Sequence, residues 1–340
     1  MNKFIGLLVI FIIAITNINT AQISFNLNES FTLAIPDSAI FLTANNDTIL
    51  FGGISGIEPA PLPNQYYLIP DKSDDLSGYF IAEITFLEEI VVKIIKFQEL
   101  NAPGLEGEAI RINPNNKQIY LADERKNSTG IYQINRSNTP IKLSVEPSNY
   151  FRLMQWNAGF EGLCFTPNGS ALFASVEKPL SNTGTLHTDI TIPYVCPVLF
   201  FPLSKGKQRA TTYGYPLQRK TDDNGISELL TLNDSILFVV ERAYLKNEDR
   251  NIVRIFSVNL NNTIHIKNTP IDIHGITELL NPKLLFNFEH PLLIGNQLTA
   301  PCNIEAISFS SDKKYLLLVS DNNYGNSDHT PTQIIALKIK

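Results

Sequence analysis

One short frame returns five times along this chain, and it restricts the fold more than any other feature. Counting from Glu161 in NAGFEGLCFTPNGSALFASVEKPL, apolar residues stand two and four places on (Leu163, Phe165) and a turn residue stands six on (Pro167). The same frame fits Glu108 with Ile110, Ile112 and Pro114; Glu228 with Leu230, Leu232 and Asp234; and Glu305 with Ile307, Phe309 and Ser311. Ser55 with Ile57 and Pro61 fits more loosely. Each copy runs into a second apolar stretch that stops at an acid followed by a cation or an amide: Asp71-Lys72, Glu124-Arg125, Glu177-Lys178, Glu241-Arg242 and Asp321-Asn322. From the opening residue to the closing acid the separation is 16 in four copies and 13 in the copy from 228 to 241.

Short apolar runs such as KQIYLA, SILFVV and KYLLLVS alternate with turn clusters such as NPNNK, TPNGS and SSDKK, and no long stretch keeps a helical period. The chain reads as all-β. A hairpin repeated with extra strands, starting at 55, 108, 161, 228 and 305, predicts a β-propeller, whose blades are typically four-stranded sheets around a central channel. We expect five to six blades, with seven within reach of the length. The two longest steps leave room for loop insertions or a degenerate blade between 242 and 304. After Glu305 only about three strands of ~5 to 6 residues fit, so SFTLAIP near the N-terminus is expected to supply the fourth and close the ring, which removes exposed edges.

The opening MNKFIGLLVIFIIAITNINTAQ has a lysine, an apolar run and a small residue at Ala21, the layout of a secretory signal peptide over 1–21. The run is short for a membrane span, which takes about 20 apolar residues. The expectation is an exported protein with no stable membrane anchor after cleavage. With no Pro/Gly/Ser-rich linker or charge block, residues 22–340 are read as a single domain. A net charge of −6 lacks the basic footprint of nucleic-acid binding. Three cysteines, Cys164, Cys196 and Cys302, are too few for a disulfide framework, although a Cys196–Cys302 bridge is allowed by the count.

In an antiparallel hairpin the start of the first strand lies beside the end of the second. If these are the two innermost strands, all five hairpins bring their acids to one mouth of the channel. The expected ring holds Glu108, Glu161, Glu228 and Glu305 with Ser55, beside Asp71, Glu124, Glu177, Glu241 and Asp321. Nine carboxylates then face Lys72, Arg125, Lys178 and Arg242. Crowded carboxylates drive one another toward protonation unless a cation compensates. Ca²⁺, which takes 6 to 8 oxygen ligands in irregular geometry, suits such a ring. The plainer reading is that these are inter-blade salt bridges that fix register, with no ligand.

FGGISGIE, the stretch around Glu161, NGISELLTLNDSILFVVER and NIEAISFSSDKKYLLLVSDNNYG together resemble the phytase-like family, described as having esterase-like activity of phytase, from about residue 50 to 338. The resemblance implies a propeller. By likeness to the more remote alkaline propeller phytases, it also implies calcium ions held by acidic side chains at one mouth. The positions it singles out are Glu161, Glu228, Glu241, Arg242, Glu305, Asp321 and Asn322. No phosphate-binding cluster of Lys and Arg can be matched. The expectation is a secreted, calcium-dependent hydrolase of phosphoric or carboxylic esters acting on a small anionic substrate. Glu161, Glu305 and Arg242 are its candidate catalytic residues, and Asp71, Glu108, Glu228, Glu241, Asp321 and Asn322 its candidate metal ligands. An unpaired acid near Glu161 or Glu305 would serve as base, and Arg125 and Arg242 would neutralise substrate charge. The alternative is a non-catalytic binding or scaffold propeller.

Other sites carry less. Gly53-Ile54-Ser55-Gly56 lacks the Gly-x-Ser-x-Gly spacing of a serine-hydrolase elbow, and no helix follows it. The five histidines show no metal-ligand spacing. DDNG at 222–225 reads as an acidic β-turn.

Overall fold

The computed structural model describes residues 23–35, 40–42, 48–71, 77–125, 129–143, 158–180, 195–203, 210–218, 223–265, 276–325 and 331–340. The proposed signal segment, Lys72 and Asp222 lie outside them.

Five antiparallel blades make up the ring. From the inside outward, blade 1 is Ile54–Pro59, Gln65–Pro70, Gly78–Phe86 and Ile90–Glu99, and blade 2 is Gly107–Ile112, Ile119–Asp123, Gly130–Ile134 and Pro140–Lys142. Blade 3 begins Phe160–Phe165, Ala171–Val176, Val195–Pro202 and Thr211–Pro216, and blade 4 is Gly225–Asn233, Ile236–Leu245, Arg250–Asn259 and Pro282–Phe288. Blade 5 is Ile304–Phe309, Tyr315–Ser320 and Thr332–Ile339, completed by Phe25–Ile35 from the N-terminal side. The last strand of the chain therefore pairs with the first described one, Ile335 opposite Thr32 and Leu33 opposite Ile334, as the length of the last repeat requires. The inner strands touch in cyclic order, blade 5 returning to blade 1.

Among the described residues, the stretch between 242 and 304 forms no separate blade. That stretch holds the outer strands of blade 4, two short strands, Ile264–His265 and Ile276–Leu279, that extend the edge of blade 3, and a hairpin of Leu292–Ile294 with Gln297–Thr299. Ile276–Leu279 runs parallel to Thr211–Pro216, so the insertion covers an edge that would otherwise be open.

The inner strands are buried on both faces, and the core lies in the gaps between blades. Ile57, Tyr66, Leu68 and Phe80 of blade 1 pack with Ala306, Leu317 and Val319 of blade 5. Ile304, Leu316 and Leu318 of blade 5 pack in turn with Phe238, Val240 and Ile255 of blade 4. All three cysteines are buried and unbridged. Cys196 donates to the carbonyl of Glu177 at 3.3 Å and Cys302 to Gln333 at 2.9 Å, so each thiol is used within its own blade.

A buried ion pair occupies the axis. Arg111 donates from Nη1 to the carbonyls of Ile57 and Ile110, at 2.8 and 2.9 Å, and from Nη2 to those of Leu229 and Ile307, at 3.1 and 3.2 Å. Its Nη2 also meets Glu228 Oε2 at 2.6 Å. Glu228 Oε1 accepts from the amide of Leu163 at 2.9 Å. One guanidinium and one carboxylate thus hold the inner strands of all five blades. Burial pushes the Glu228 carboxyl up to about 8 against the opposing pull of Arg111.

Candidate functional site at the channel mouth

Every inner strand carries a β-bulge near its start. The ladder slips between Ile54 and Gly56, Gly107 and Ala109, Phe160 and Leu163, Ile226 and Glu228, and Ile304 and Ala306. A bulge re-aims the extra residue. Those residues are Ser55, Glu108, Glu161, Ser227 and Glu305. Beyond the bulge the inner strands approach closely: a Cβ on Gly162 would lie 2.7 Å from the amide nitrogen of Leu229, and one on Gly56 would lie 2.8 Å from that of Ile110.

The second strands end in step. The amides of Asp71, Glu124, Glu177 and Asp321 bond the carbonyls of Gly53, Glu106, Gly159 and Asn303. In blade 4 the ladder sets Arg242 opposite Gly225 and Glu241 opposite Ile226, so the equivalent of those four acids is Arg242.

Blade 4 therefore stands one residue away from the frame expected from sequence. Its bulge residue is Ser227, and the separation from 227 to 242 is 15 rather than 13. Glu228 turns onto the axis, where it meets Arg111, and does not line the mouth. Glu241 is buried on the other face of its strand, where it accepts from Tyr215 Oη and the Gln218 amide at 2.9 Å and pairs with Arg254 at 2.9 Å. Arg125 likewise turns from the mouth to Asp123, at 2.7 Å. The expected contest of nine acids and four cations becomes, among the described residues lining the cavity, seven acids against Lys178 and Arg242.

The mouth is a cavity of about 430 Å³. Asp71, Glu108, Glu124, Glu161, Glu177, Glu305 and Asp321 line it, with Asn251, Asn303, Asn323 and Tyr244. Of the candidate residues, Glu161, Glu305, Arg242, Asp71, Glu108 and Asp321 are brought together. Asn322 is not: its Oδ1 accepts from the Gly53 amide at 2.8 Å and ties blade 5 to blade 1, while the next residue, Asn323, faces the cavity. Asn303 was not anticipated. Its Nδ2 donates to Glu305 at 3.0 Å and to Asp321 at 3.4 Å.

One side of the mouth is well paired. Arg242 meets Glu305 at 3.1 Å and Glu177 at 3.6 Å, and Lys178 meets Glu177 at 3.0 Å. Ser55 Oγ donates to Glu305 at 3.0 Å. The carboxyls around Arg242 push its guanidinium pKa up against the effect of burial, so it is charged. Glu108 and Glu161 are held differently. They are 5% and 6% exposed, and neither carboxyl makes a hydrogen bond or ion-pair contact with a described residue. Burial first, then Glu124, Glu305, Asp71 and Asp321, push Glu108 far up. Burial and Glu108, Glu124, Glu177 and Glu305 do the same to Glu161. Asp321 is raised by burial, Glu305 and Asp71, and Glu124 is raised to about 7 by burial and Glu177.

These shifts fix a pH dependence. An acid whose pKa is higher folded than unfolded binds its proton more tightly in the native state. Its stabilising contribution is complete below the unfolded value, 4.5 for Glu, and is lost as pH rises through the folded value. In chelator, the melting temperature is expected to fall from about pH 5 to pH 8. Glu124→Gln should flatten the part of this slope centred near pH 7, as thermal unfolding at graded pH would reveal.

Comparison with known proteins gives three findings. The phytase-like family model, described as esterase-like activity of phytase, matches residues 49–324. No curated protein matches the chain. Among solved structures, an endo-arabinase from Bacteroides thetaiotaomicron aligns with a TM-score of 0.48 and 10% identity over 88% of this chain and 97% of its own. Hydrazine synthase from Kuenenia stuttgartiensis aligns with a TM-score of 0.42 and 12% identity over 87% and 84%.

Proposed function

The chain belongs to the phytase-like family, and from that premise we propose that it is an exported hydrolase of phosphoric or carboxylic esters that works with calcium at the acidic mouth. The observation that carries this reading is a pair of buried carboxyls, Glu108 and Glu161, that have no hydrogen-bond or ion-pair partner among the described residues and line a cavity together with the braced guanidinium of Arg242.

The donor chemistry fits a hard cation. Asp71, Glu108 and Asp321 are oxygen donors; beside burial, Asp71 and Asp321 push Glu108 up and Asp71 pushes Asp321 up, and calcium accepts such ligands in irregular arrangements. Among the described residues no three acids are arranged to clasp a metal as they stand, so these three are offered as ligands by chemistry alone. Calcium bound there would supply Lewis acidity toward the ester oxygen and a bound water of lowered pKa.

The protein's own groups do the rest. Glu161 has no hydrogen-bond or ion-pair partner among the described residues, which leaves its carboxylate free to take a proton from water, and burial with the neighbouring acids makes it a stronger base than an exposed carboxylate. Arg242 is braced by Glu305 and Glu177 and presents charge to the oxygen that becomes negative. Glu305, held by Ser55, Asn303 and Arg242, acts through Arg242 as a positioning residue.

The test is hydrolysis of nitrophenyl phosphate, nitrophenyl acetate and inositol phosphate by purified protein. Turnover of at least one is expected, lost in chelator and restored by calcium. No turnover above the Glu161→Gln background under any condition would leave a non-catalytic binding propeller.

A further inference from the structure

Fully ionised, the mouth would carry more negative charge than one metal ion can balance. Seven carboxylates line it against Lys178 and Arg242, an excess of five among the described residues, of which a single divalent ion offsets two. Its volume, about 430 Å³, also far exceeds that of an ion and matches the lower range of small-molecule sites, roughly 300–1,000 Å³. Glu161 lies more than nine-tenths buried and opens into this space with no hydrogen-bond or ion-pair partner among the described residues. Buried charge is tolerated when it is paired and hydrogen-bonded, so the missing partner is a group that brings both positive charge and donors.

We infer that the substrate of this site is an ester whose body carries one or more protonated amines, seated against Glu124 and one oxygen of Glu161, while the other oxygen of Glu161 and Arg242 face the reacting group. This inference rests on the hydrolase reading for the word ester, but not for the amine. A primary ammonium has three N–H donors and meets several carboxylates at once. A quaternary ammonium is the poorer fit, because it favours a cage of aromatic faces and Tyr244 is the one aromatic residue among the described lining residues. A lipid or aryl body is also a poor fit, since the lining residues are otherwise charged or amide side chains. Glu124 extends the amine site toward blade 3: the distance from its Oε2 to the Gly159 amide is 3.4 Å, a long contact that leaves acceptor capacity.

Titration calorimetry on the full chain with calcium present and ionic strength held constant would compare three ligands of similar length: 1,4-diaminobutane, 1,4-butanediol and succinate. The diamine should bind at least about tenfold more tightly than the other two, a difference of about 1.4 kcal/mol. Glu161→Gln and, independently, Glu124→Gln should each weaken it severalfold, with melting curves verifying that both variants fold. Equal affinity for diamine and diol, or diamine binding unchanged in both variants, would overturn the inference. Diamine binding with no ester turned over would uphold the amine site and remove the hydrolase reading. Ester turnover with no preference for the diamine would do the reverse.

Discussion

Replacing Arg111 by methionine is expected to be the most destabilising single change in the molecule, costing about 3–5 kcal/mol, the range for breaking a buried ion pair from one side. The substitution removes four hydrogen bonds to carbonyls in blades 1, 2, 4 and 5 and leaves Glu228, fully buried, without its cation. The sign of the pH response separates the two parts of this loss. Glu228 already titrates near 8 beside Arg111; without the guanidinium its folded pKa rises further, so the variant should regain part of its stability as the pH falls and the carboxyl becomes neutral. Arg111→Met combined with Glu228→Met should be more stable than Arg111→Met alone at pH 8, because no buried charge is left behind. Denaturant unfolding of the two variants at pH 6 and pH 8 measures both effects. Equal stability of Arg111→Met and the parent would mean that the axis is not held by this pair.

At the mouth, Glu161→Gln is expected to reduce ester turnover by about 10²- to 10⁴-fold, the usual contribution of a positioned base. The same substitution should not destabilise the apo protein, since it removes one charge from a cluster in which burial and four neighbouring acids already oppose ionisation. Opposite effects on activity and stability distinguish a functional acid from a structural one. Arg242→Gln gives the contrast: it takes the guanidinium away from Glu305 and Glu177 and should lower both turnover and melting temperature. Steady-state rates with melting curves on the same preparations decide between these patterns. A Glu161→Gln variant as active as the parent would remove Glu161 from the chemistry.

Much of this geometry is legible in the sequence, because a hairpin repeat fixes both the blade and the end of the blade at which its acids emerge. The 16-residue separation in blades 1, 2, 3 and 5 identified Ser55, Glu108, Glu161 and Glu305 together with Asp71, Glu124, Glu177 and Asp321. The frame failed in blade 4 for a definite reason. Searching for an acid at the start of the repeat selects Glu228, whereas the bulge position there is a serine and the acid one place on serves the axis. A usable signal was present: the bulge residue is followed by Gly56, Ala109, Gly162 and Ala306 in the other blades, small because the inner strands nearly touch, with an apolar residue next. Aligning on that apolar residue puts Leu229 with Leu163 and Ile110, and a connection one residue shorter in blade 4 then puts Arg242 with Glu177. Which way a strand-end side chain turns was beyond the pattern, as Glu241 and Arg125 show. Each sits next to a mouth residue in sequence and faces the opposite side of its blade.

On the reading proposed above, the bulged inner strands gather buried carboxyls at one opening, and the described residues there supply too little counter-charge without a bound cation. Thermal unfolding from pH 5 to pH 8.5, in chelator and in millimolar calcium, tests it most directly, with the triple variant Glu108→Gln, Glu124→Gln, Glu161→Gln as reference. In chelator the parent should lose stability with rising pH relative to the triple variant, and calcium, as a native-state ligand, should restore it at the alkaline end. A parent whose stability follows that of the triple variant across the range, indifferent to calcium, would contradict the account.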